Sequence, residues 1–324
     1  MTLRFQALGS FAVYRAGQPL PRSIWGSHRA LTLAKVLLTH RNQAIHKEQL
    51  AEWVWPTASA DAAERNLYIA TSDLRRALEP DRPPRSPSRY VHTDGDTIEL
   101  TTNECWVDAD LLLNAADVEP TAPHALQRLD EAVRLYGGVY LPDDLYADWA
   151  QVERERLALA HETILFKLAD AHAARSDYHA AVTACRRGLI RYPLSEAGVA
   201  RCMRYASRVG ETGLALRAYE MLISSLRREM QIEPEPHLAR MAERLRQGLP
   251  LEEMPEANRW VWADAPVGTN GHGSGLRPAA DGNGHHPGVG NHDGLRVDLE
   301  RITTLVTELN YLLQRLHLAL GDLD

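Results

Sequence analysis

One stretch of the chain, ERNLYIATSDLRRALEP at residues 64–80, carries cationic and hydrogen-bonding side chains at helical spacing. Its apolar residues recur at intervals of three and four, which predicts an amphipathic helix, and they are Leu67, Ala70, Leu74 and Leu78. The opposite face holds Arg65, Tyr68, Ser72, Arg75 and Arg76. Arginine binds guanine edges or phosphates, and hydroxyl groups are adaptable hydrogen-bond donors. Side chains of these types on one helix face fit the major groove of duplex DNA.

An acidic residue, Asp73, lies within this arginine-rich face and opposes that interpretation. A carboxylate directed at the phosphates of DNA would repel them. Three alternatives follow: Asp73 turns aside to pair with Arg76 or another basic residue, it accepts a hydrogen bond from a cytosine amino group, or DNA binding has been weakened or lost. For the stretch as a whole, the competing interpretation is a solvated amphipathic helix without a ligand.

The net charge of −7 becomes informative when it is divided along the chain. Residues 1–100 hold 13 Lys and Arg against 10 Asp and Glu, whereas the remaining residues hold 23 against 33. The basic excess therefore lies in the part of the chain that contains the arginine-rich stretch, where a polyanion would bind. An excess of this size is weak support by itself.

The segments around the stretch predict the elements that position it. Apolar and polar residues alternate in LRFQALGSFAVYRAG, which predicts a small antiparallel sheet. Two helices, HRALTLAKVLLTHRN and HKEQLAEWVWP, precede the stretch, and Ser59 or Asp61 would cap the third helix. After a proline-rich break, RYVHTDGDTIEL predicts a β-hairpin with its turn at Asp94-Gly95. Three helices followed by a hairpin outline a winged helix-turn-helix.

Several side chains outside the third helix are further candidate DNA contacts. Near the base of the hairpin, or wing, they are Arg89, His92 and Thr93. These residues would reach a minor groove or phosphates, although the hairpin would serve equally well only to close the sheet. Lys47 and Arg41 are candidate phosphate contacts, which position a protein on DNA without reading its sequence.

Residues 105–248 have a helical pattern with an internal repeat. An offset of 34 residues aligns Asp177 with Glu211 and Ala181 with Ala215. A period of this length is typical of tetratricopeptide-like units, each a pair of packed helices. The aromatic residues of this region are expected to pack between helices rather than to line a ligand pocket, and they are Tyr136, Trp149, Tyr178, Tyr192, Tyr205 and Tyr219.

The first hundred residues resemble the OmpR/PhoB-type DNA-binding domain, in the form found in SARP-like bacterial regulators. The segments that carry this resemblance are HRALTLAKVLL, IHKEQLAEWVWP and AERNLYIATSDLRRALEP, followed by the wing. The next part resembles the bacterial transcriptional activator domain of the same regulators, through VDADLLLNAA, AVRLYGGVYLPDDLYADWAQVERERL, YPLSEAGVARCMRYASRVGE and AYEMLISSLRREMQIEPEP. Trp149 and Arg156 match a Trp and an Arg of that family, whereas Gln231 stands where a glycine that ends the helix is expected.

This resemblance implies a transcriptional regulator, most simply an activator, whose third helix enters the major groove of double-stranded promoter DNA. It also implies a helical domain that contacts RNA polymerase or another partner. We predict a mainly α fold: a winged helix-turn-helix with a small sheet and a wing at 1–102, a tetratricopeptide-like domain at 105–248, a flexible linker at 249–294 and an amphipathic helix at 295–321. A protein-interaction scaffold whose winged helix no longer binds DNA is the alternative.

The predicted C-terminal helix has an apolar heptad pattern. Its core positions alternate steps of four and three and include Leu299, Ile302, Val306, Leu309, Leu313, Leu316 and Leu320. Such a seam predicts a coiled coil that joins copies of the chain, although packing against the chain's own helical domain stays open. The linker before it contains His272, His285, His286 and His292. Their irregular spacing in a glycine-rich tract favours low complexity over a metal site.

The remaining features restrict the class of protein. No nucleotide-binding loop of the GxxxxGK[ST] type and no hydrolase or metalloprotease motif is present, so we expect neither an enzyme nor a cofactor. The three cysteines lack a CxxC pair, which favours a reducing compartment over a disulfide framework. No apolar run is long enough to span a bilayer and MTLRFQALGS lacks signal-peptide features, so we expect a cytoplasmic protein without membrane contact.

Overall fold

The structure, a computed structural model, describes residues 3–83 and 85–251. The predicted linker and heptad helix therefore lie outside the described residues, apart from the first residues of the linker. The described part is mainly helical with two small sheets, as the sequence predicts. Among its helices, none is both long and apolar enough to cross a membrane.

The N-terminal sheet has four short strands in the order β3-β2-β1-β7. β1 (Leu3–Gln6), β2 (Ala12–Arg15) and β3 (Gln18–Pro19) are antiparallel to their neighbours, whereas β7 (Trp106–Val107) pairs in parallel with β1. Alternation places Phe5 on the buried face, opposite Val13 on one side and Val107 on the other. The strand that completes this sheet thus follows the wing and was not expected from the sequence.

Three helices and a wing follow the first strands, which confirms the predicted winged helix. The helices are α1 (His28–Thr39), α2 (Lys47–Val54) and α3 (Ala60–Leu78). The wing consists of β5 (Val91–Asp94) and β6 (Thr97–Leu100), and β4 (Ile45–His46) pairs with β6 to give a three-stranded sheet. The predicted apolar face of α3 is buried against α1 and α2 and includes Leu67, Ala70, Leu74 and Leu78.

The helical domain contains seven helices in the part of the chain that is described. They are α4 (Asp108–Ala116), α5 (Ala125–Leu135), α6 (Asp148–Ala173), α7 (Tyr178–Arg191), α8 (Glu196–Arg208), α9 (Thr212–Glu229) and α10 (Pro236–Arg246). Consecutive helices pack on one another from α4 to α10. A Cβ atom on Gly188 or Gly198 would lie within 3 Å of the Phe166 ring, so both glycines are needed for the close approach of α7 and α8 to α6.

The end of α9 explains the one position that departs from the expected family pattern. The helix ends at Glu229, and Gln231 has a φ of 56°. This is the left-handed conformation that glycine adopts without strain after a helix. Gln231 therefore keeps the backbone turn of the missing glycine at some conformational cost.

Ion pairs whose basic side chains are buried join α1 and the turn after it to the helical domain. Lys35 Nζ lies 2.5 Å from Asp144 Oδ2, and Arg41 donates from Nε to Asp110 at 2.7 Å and from Nη1 to Glu153 at 2.9 Å. The side chains of Arg41 and Glu153 are only 8% and 9% exposed. The prediction of Arg41 as a phosphate contact is therefore wrong, because its guanidinium is enclosed by two carboxylates at the domain junction.

Hydrogen bonds that involve backbone groups also join the two domains at this junction. The Asp108 carboxylate accepts hydrogen bonds from the amides of Ala7 at 2.7 Å and Leu8 at 2.8 Å, which lie just after β1. Burial raises the pKa of Asp108 although these amides and that of Ala109 oppose the change. In addition, the Leu141 amide donates to the Ala7 carbonyl at 2.9 Å. The winged helix and the helical domain therefore share one continuous set of contacts.

The aromatic residues of the helical domain pack between helices. The Tyr136 ring stacks on His161 with centroids 3.7 Å apart, and Tyr192 Oη lies 2.8 Å from His161 Nδ1. Tyr205 donates to Asp170 at 2.5 Å. These contacts agree with the expectation that the aromatic residues belong to the packing of the domain.

Acidification is expected to destabilise the helical domain through His161. Burial, and to a smaller degree the charge of Arg191, lowers the pKa of His161 to about 4, whereas an unfolded histidine has a pKa of about 6.5. Because the unfolded chain takes up the proton first, this stabilisation is complete above about pH 6.5 and is lost as the pH falls toward about 4.

Urea unfolding at pH 7 and pH 5 measures this effect. Between these two values, the free energy of unfolding should fall by about 2 kcal/mol more in the wild type than in His161→Gln, which cannot titrate in this range. The same pH dependence in both proteins would exclude His161 as a source of acid sensitivity.

Candidate nucleic-acid interface

The exposed face of α3 forms one continuous stripe of polar and apolar side chains. From Arg65 onward its members are Arg65, Tyr68, Ile69, Ser72 and Arg76, and the exposed carboxylates of Asp61 and Glu64 precede them on the helix. The side chain of Tyr68 is 79% exposed and that of Ile69 is 57% exposed. The helix begins after Ser59, although the Ser59 hydroxyl makes no capping hydrogen bond. The opposite face of α3 is fixed in the core, so the backbone holds this stripe toward solvent.

The structure places Asp73 beside this stripe and directs it away from solvent. Asp73 Oδ1 accepts a hydrogen bond from Arg76 Nη2, and the Asp73 side chain is only 14% exposed. Its carboxylate packs against Gly26, at the end of the turn that precedes α1, where a Cβ atom would lie 2.7 Å from Oδ2. Gly26 has a φ of 69°, so glycine is favoured here for both conformation and space. Of the three alternatives, the geometry agrees with pairing to Arg76.

Arg75 joins α3 to the wing. Its Nε donates to the Val91 carbonyl at 3.1 Å and its Nη2 donates to Thr93 Oγ1 at 2.6 Å. Burial lowers the pKa of Arg75, and the positive charge of Arg82 lowers it further. The guanidinium of Arg75 nevertheless remains a cation. Two of the residues predicted to contact DNA, Arg75 and Thr93, are thus bound to each other across the angle between helix and wing.

Lys47 binds the tip of the wing. Its Nζ donates to the Gly95 carbonyl at 2.6 Å and lies 3.8 Å from Asp96 Oδ1. Its backbone amide donates to the Asp96 carbonyl at 2.8 Å. The tip itself carries Asp94 and Asp96, both exposed, so Lys47 is held next to carboxylates. Phosphate binding by the tip is electrostatically disfavoured as a result.

Arg89 and His92 occupy different positions on the wing. Arg89 pairs with Glu104, which precedes β7, and its guanidinium lies 5.7 Å from the Tyr90 ring centroid. Hydrogen bonding from Arg89 lowers the pKa of Glu104. His92 is exposed on β5 opposite Glu99. Arg89 is thus at the side of the N-terminal sheet and is not brought next to the α3 stripe by any contact in the described residues.

The structure therefore separates the predicted contacts into two groups. Arg65, Tyr68, Ser72 and Arg76 share the exposed face of α3, where Arg76 also pairs with Asp73, whereas Arg75, Thr93, Lys47 and Arg89 make contacts with the wing or with the N-terminal sheet. Sequence reasoning based on hydrogen-bonding side chains does not identify Ile69, because isoleucine has no such group. Its spacing of four from Arg65 and three from Ser72 places it on the same face and could have identified it.

Two known families match the chain in the order of its two domains. Residues 21–96 match the C-terminal domain of transcriptional regulatory proteins, and residues 111–246 match the bacterial transcriptional activator domain. The chain thus combines these two domains in the order expected from its resemblance to SARP-like bacterial regulators. Both matches indicate that this SARP-like protein is a transcriptional regulator.

Curated transcriptional regulators are similar to this chain in sequence, and a solved structure is similar to it in fold. The SARP-like chain is 23% identical over 266 residues to the transcriptional regulatory protein MoaR1 of Mycobacterium tuberculosis, and the match covers 78% of this chain and 82% of MoaR1. MoaR1 of Mycobacterium bovis BCG is also 23% identical, over 264 residues. The fold is similar to Mycobacterium tuberculosis EmbR, solved in complex with a low-affinity phosphopeptide, with a TM-score of 0.67 and 20% identity. That match covers 77% of this chain and 66% of the EmbR chain, just under two thirds.

Proposed function

We propose that this SARP-like regulator binds promoter DNA sequence-specifically by placing the exposed face of α3 in the major groove. The observation that carries the proposal is the stripe itself, in which Arg65, Ser72 and Arg76 project from a helix whose other face is buried. Arginine and hydroxyl side chains supply the donors that base edges and phosphates require. The pairing of Asp73 with Arg76 supports the proposal because it removes the principal electrostatic objection.

The contacts within the winged helix support a division of roles among the predicted residues. Arg65, Tyr68, Ser72 and Arg76 would contact DNA directly. Arg75 and Thr93 would fix the angle between α3 and the wing, and Lys47 would hold the wing tip. His92 and Arg89 remain candidate phosphate contacts at the wing base. With Asp94 and Asp96 at its tip, the wing would add little to the binding of phosphates.

Selection from a pool of random duplexes tests this proposal. The full chain is incubated with the pool at about 50 mM salt, where phosphate contacts are strong, and bound duplexes are amplified and sequenced. The proposal predicts enrichment of one motif. A pool that stays unchanged after repeated rounds would favour the alternative, a scaffold whose winged helix no longer binds DNA.

Replacement of Asp73 by asparagine tests whether the Asp73 carboxylate positions Arg76 or repels the phosphates of DNA. If Asp73 holds Arg76 and packs on Gly26, Asp73→Asn should weaken binding to the selected duplex by about twofold to tenfold, because one charge-assisted hydrogen bond is lost. Fluorescence anisotropy at several salt concentrations measures the affinity. Tighter binding by Asp73→Asn, with a steeper dependence on salt, would mean that the carboxylate repels phosphate instead.

The helical domain is proposed to contact RNA polymerase or another protein partner, as its family resemblance implies. Stacked helices of the tetratricopeptide-like kind provide extended surfaces for such contacts. This function requires that the protein is located in the cytoplasm, where promoter DNA lies.

Self-association through the C-terminal heptads also remains a proposal, because Leu299, Ile302, Val306, Leu309, Leu313, Leu316 and Leu320 lie outside the described residues. Two joined chains would bind two half-sites with higher avidity than one chain. Light scattering on the full chain and on a chain that ends at Gly294 measures the effect. We expect a multiple of the chain mass for the full chain and the mass of one chain for the shortened form. Equal numbers of chains in both would contradict the proposal.

A further inference from the structure

We propose that Ile69 reads the C5-methyl group of a thymine in the major groove and so makes at least one position of the binding site thymine-specific. This inference rests on the proposed function, since it requires that α3 enters the groove. It goes further by assigning a base to a residue that forms no hydrogen bond through its side chain.

Ile69 occupies a central position on the exposed face of α3. Ile69 lies one helical turn after Arg65 and one turn before Ser72, near the middle of the exposed stripe. Its side chain is 57% exposed although it is entirely apolar. The residue one turn further along, Asp73, folds toward Gly26 and Arg76 and does not cover it. Ile69 therefore presents a free apolar surface at the centre of the face that would meet the bases.

The major groove of DNA offers an apolar group that Ile69 can contact. Among the four bases only thymine places a methyl group on the floor of the major groove, and apolar side chains recognise it by contact. A β-branched side chain on a helix has essentially one χ1 rotamer, so Ile69 offers a fixed apolar surface. In contrast to Arg65 and Ser72, it would leave the hydrogen-bonding edges of a guanine or cytosine unsatisfied, which disfavours those bases.

Tyr68 is the other apolar group on this face, and its position gives a matched control. It precedes Ile69 by one residue and points about 100° away around the helix axis. It is 79% exposed, and its ring ends in a hydroxyl group, which Ile69 lacks. A phenol of this kind fits contact with sugar and phosphate through its hydroxyl. Thymine recognition is therefore assigned to Ile69 alone.

Replacement of thymine by deoxyuridine in the selected duplex tests this assignment, because it removes only the methyl group. Each thymine of the enriched motif is replaced in turn, and affinity is measured by anisotropy for the wild type, Ile69→Ala and Tyr68→Ala. For the wild type we expect at least one replacement to lower affinity about fourfold, the effect of one buried methyl group. The same replacement should have no effect on Ile69→Ala and should keep its effect on Tyr68→Ala.

The outcomes separate the inference from the proposed function. If no motif is enriched, both fail. If a motif is bound but lacks a thymine, or if deoxyuridine has no effect at any position, the regulator binds DNA and the inference on Ile69 is overturned. Loss of affinity that is equal in wild type and Ile69→Ala also overturns it. Since Ile69 is exposed, both variants should unfold at the wild-type temperature, and this is checked by circular dichroism.

Discussion

Replacement of Arg65 by alanine should lower affinity for the selected duplex by about 10- to 100-fold, which corresponds to about 1–3 kcal/mol for an arginine contact with a base edge. Arg65 is exposed on the first half of α3 and forms no hydrogen bond or ion pair within the described residues. Its whole donor set is thus available to DNA. The fold should be unaffected, because Arg65 is exposed and its replacement removes no hydrogen bond or ion pair of the described residues.

The salt dependence of the Arg65→Ala variant tells which contact is lost. If Arg65 reads a base, discrimination between the selected and a mutated duplex should fall; if it holds a phosphate, the slope of affinity against salt should fall by about one. Arg134→Ala is the matched control, since Arg134 is 79% exposed on α5, in the helical domain. Equal affinity of Arg65→Ala and Arg134→Ala would show that α3 is not the reading element.

Replacement of Arg41 by methionine should lower the free energy of unfolding by about 3–5 kcal/mol, because it leaves the buried Glu153 carboxylate without its principal partner. Although burial opposes the charge, hydrogen bonding and attraction from Asp110 and Glu153 raise the pKa of Arg41 above its ordinary value. The guanidinium is therefore a permanent cation at the junction of the two domains. Urea unfolding measures the change.

A second substitution separates the ion pair from simple packing. The double variant Arg41→Met with Glu153→Leu should recover much of the loss, since an apolar pair of similar size does not leave a buried charge. Asp130→Ala, which removes an exposed ion pair with Arg134 on α5, should cost no more than about 1 kcal/mol. If Arg41→Met is as stable as Asp130→Ala, the buried pairs do not hold the domains together.

Local patterns predicted the helices of the winged domain well because they depend on residues close in sequence. The intervals between Leu67, Ala70, Leu74 and Leu78 identified the buried face of α3, and Asp94-Gly95 identified the turn of the wing. By contrast, the parallel pairing of β7 with β1 joins residues about a hundred positions apart. No periodicity within either strand indicates such a partner.

The site residues divide in the same way. The sequence placed Arg65, Ser72 and Arg76 on one face because helical spacing alone decides this. It did not reveal that Arg41 faces Asp110 and Glu153, since those residues belong to a different domain. Likewise, the contacts of Arg75 with the wing depend on the packing angle between elements, which spacing does not encode. Charge and spacing therefore identify candidate residues, whereas tertiary contacts determine whether a side chain is available to bind DNA.

Equilibrium binding at increasing salt tests most directly whether this chain recognises a DNA sequence through α3. Anisotropy of the selected duplex and of a scrambled duplex of the same composition is measured with the full chain from about 50 to 300 mM salt. We expect at least about 1000-fold tighter binding to the selected duplex near physiological salt, with affinity for both duplexes falling steeply as salt rises. No binding at the lowest salt, or equal affinity for both duplexes, would contradict it.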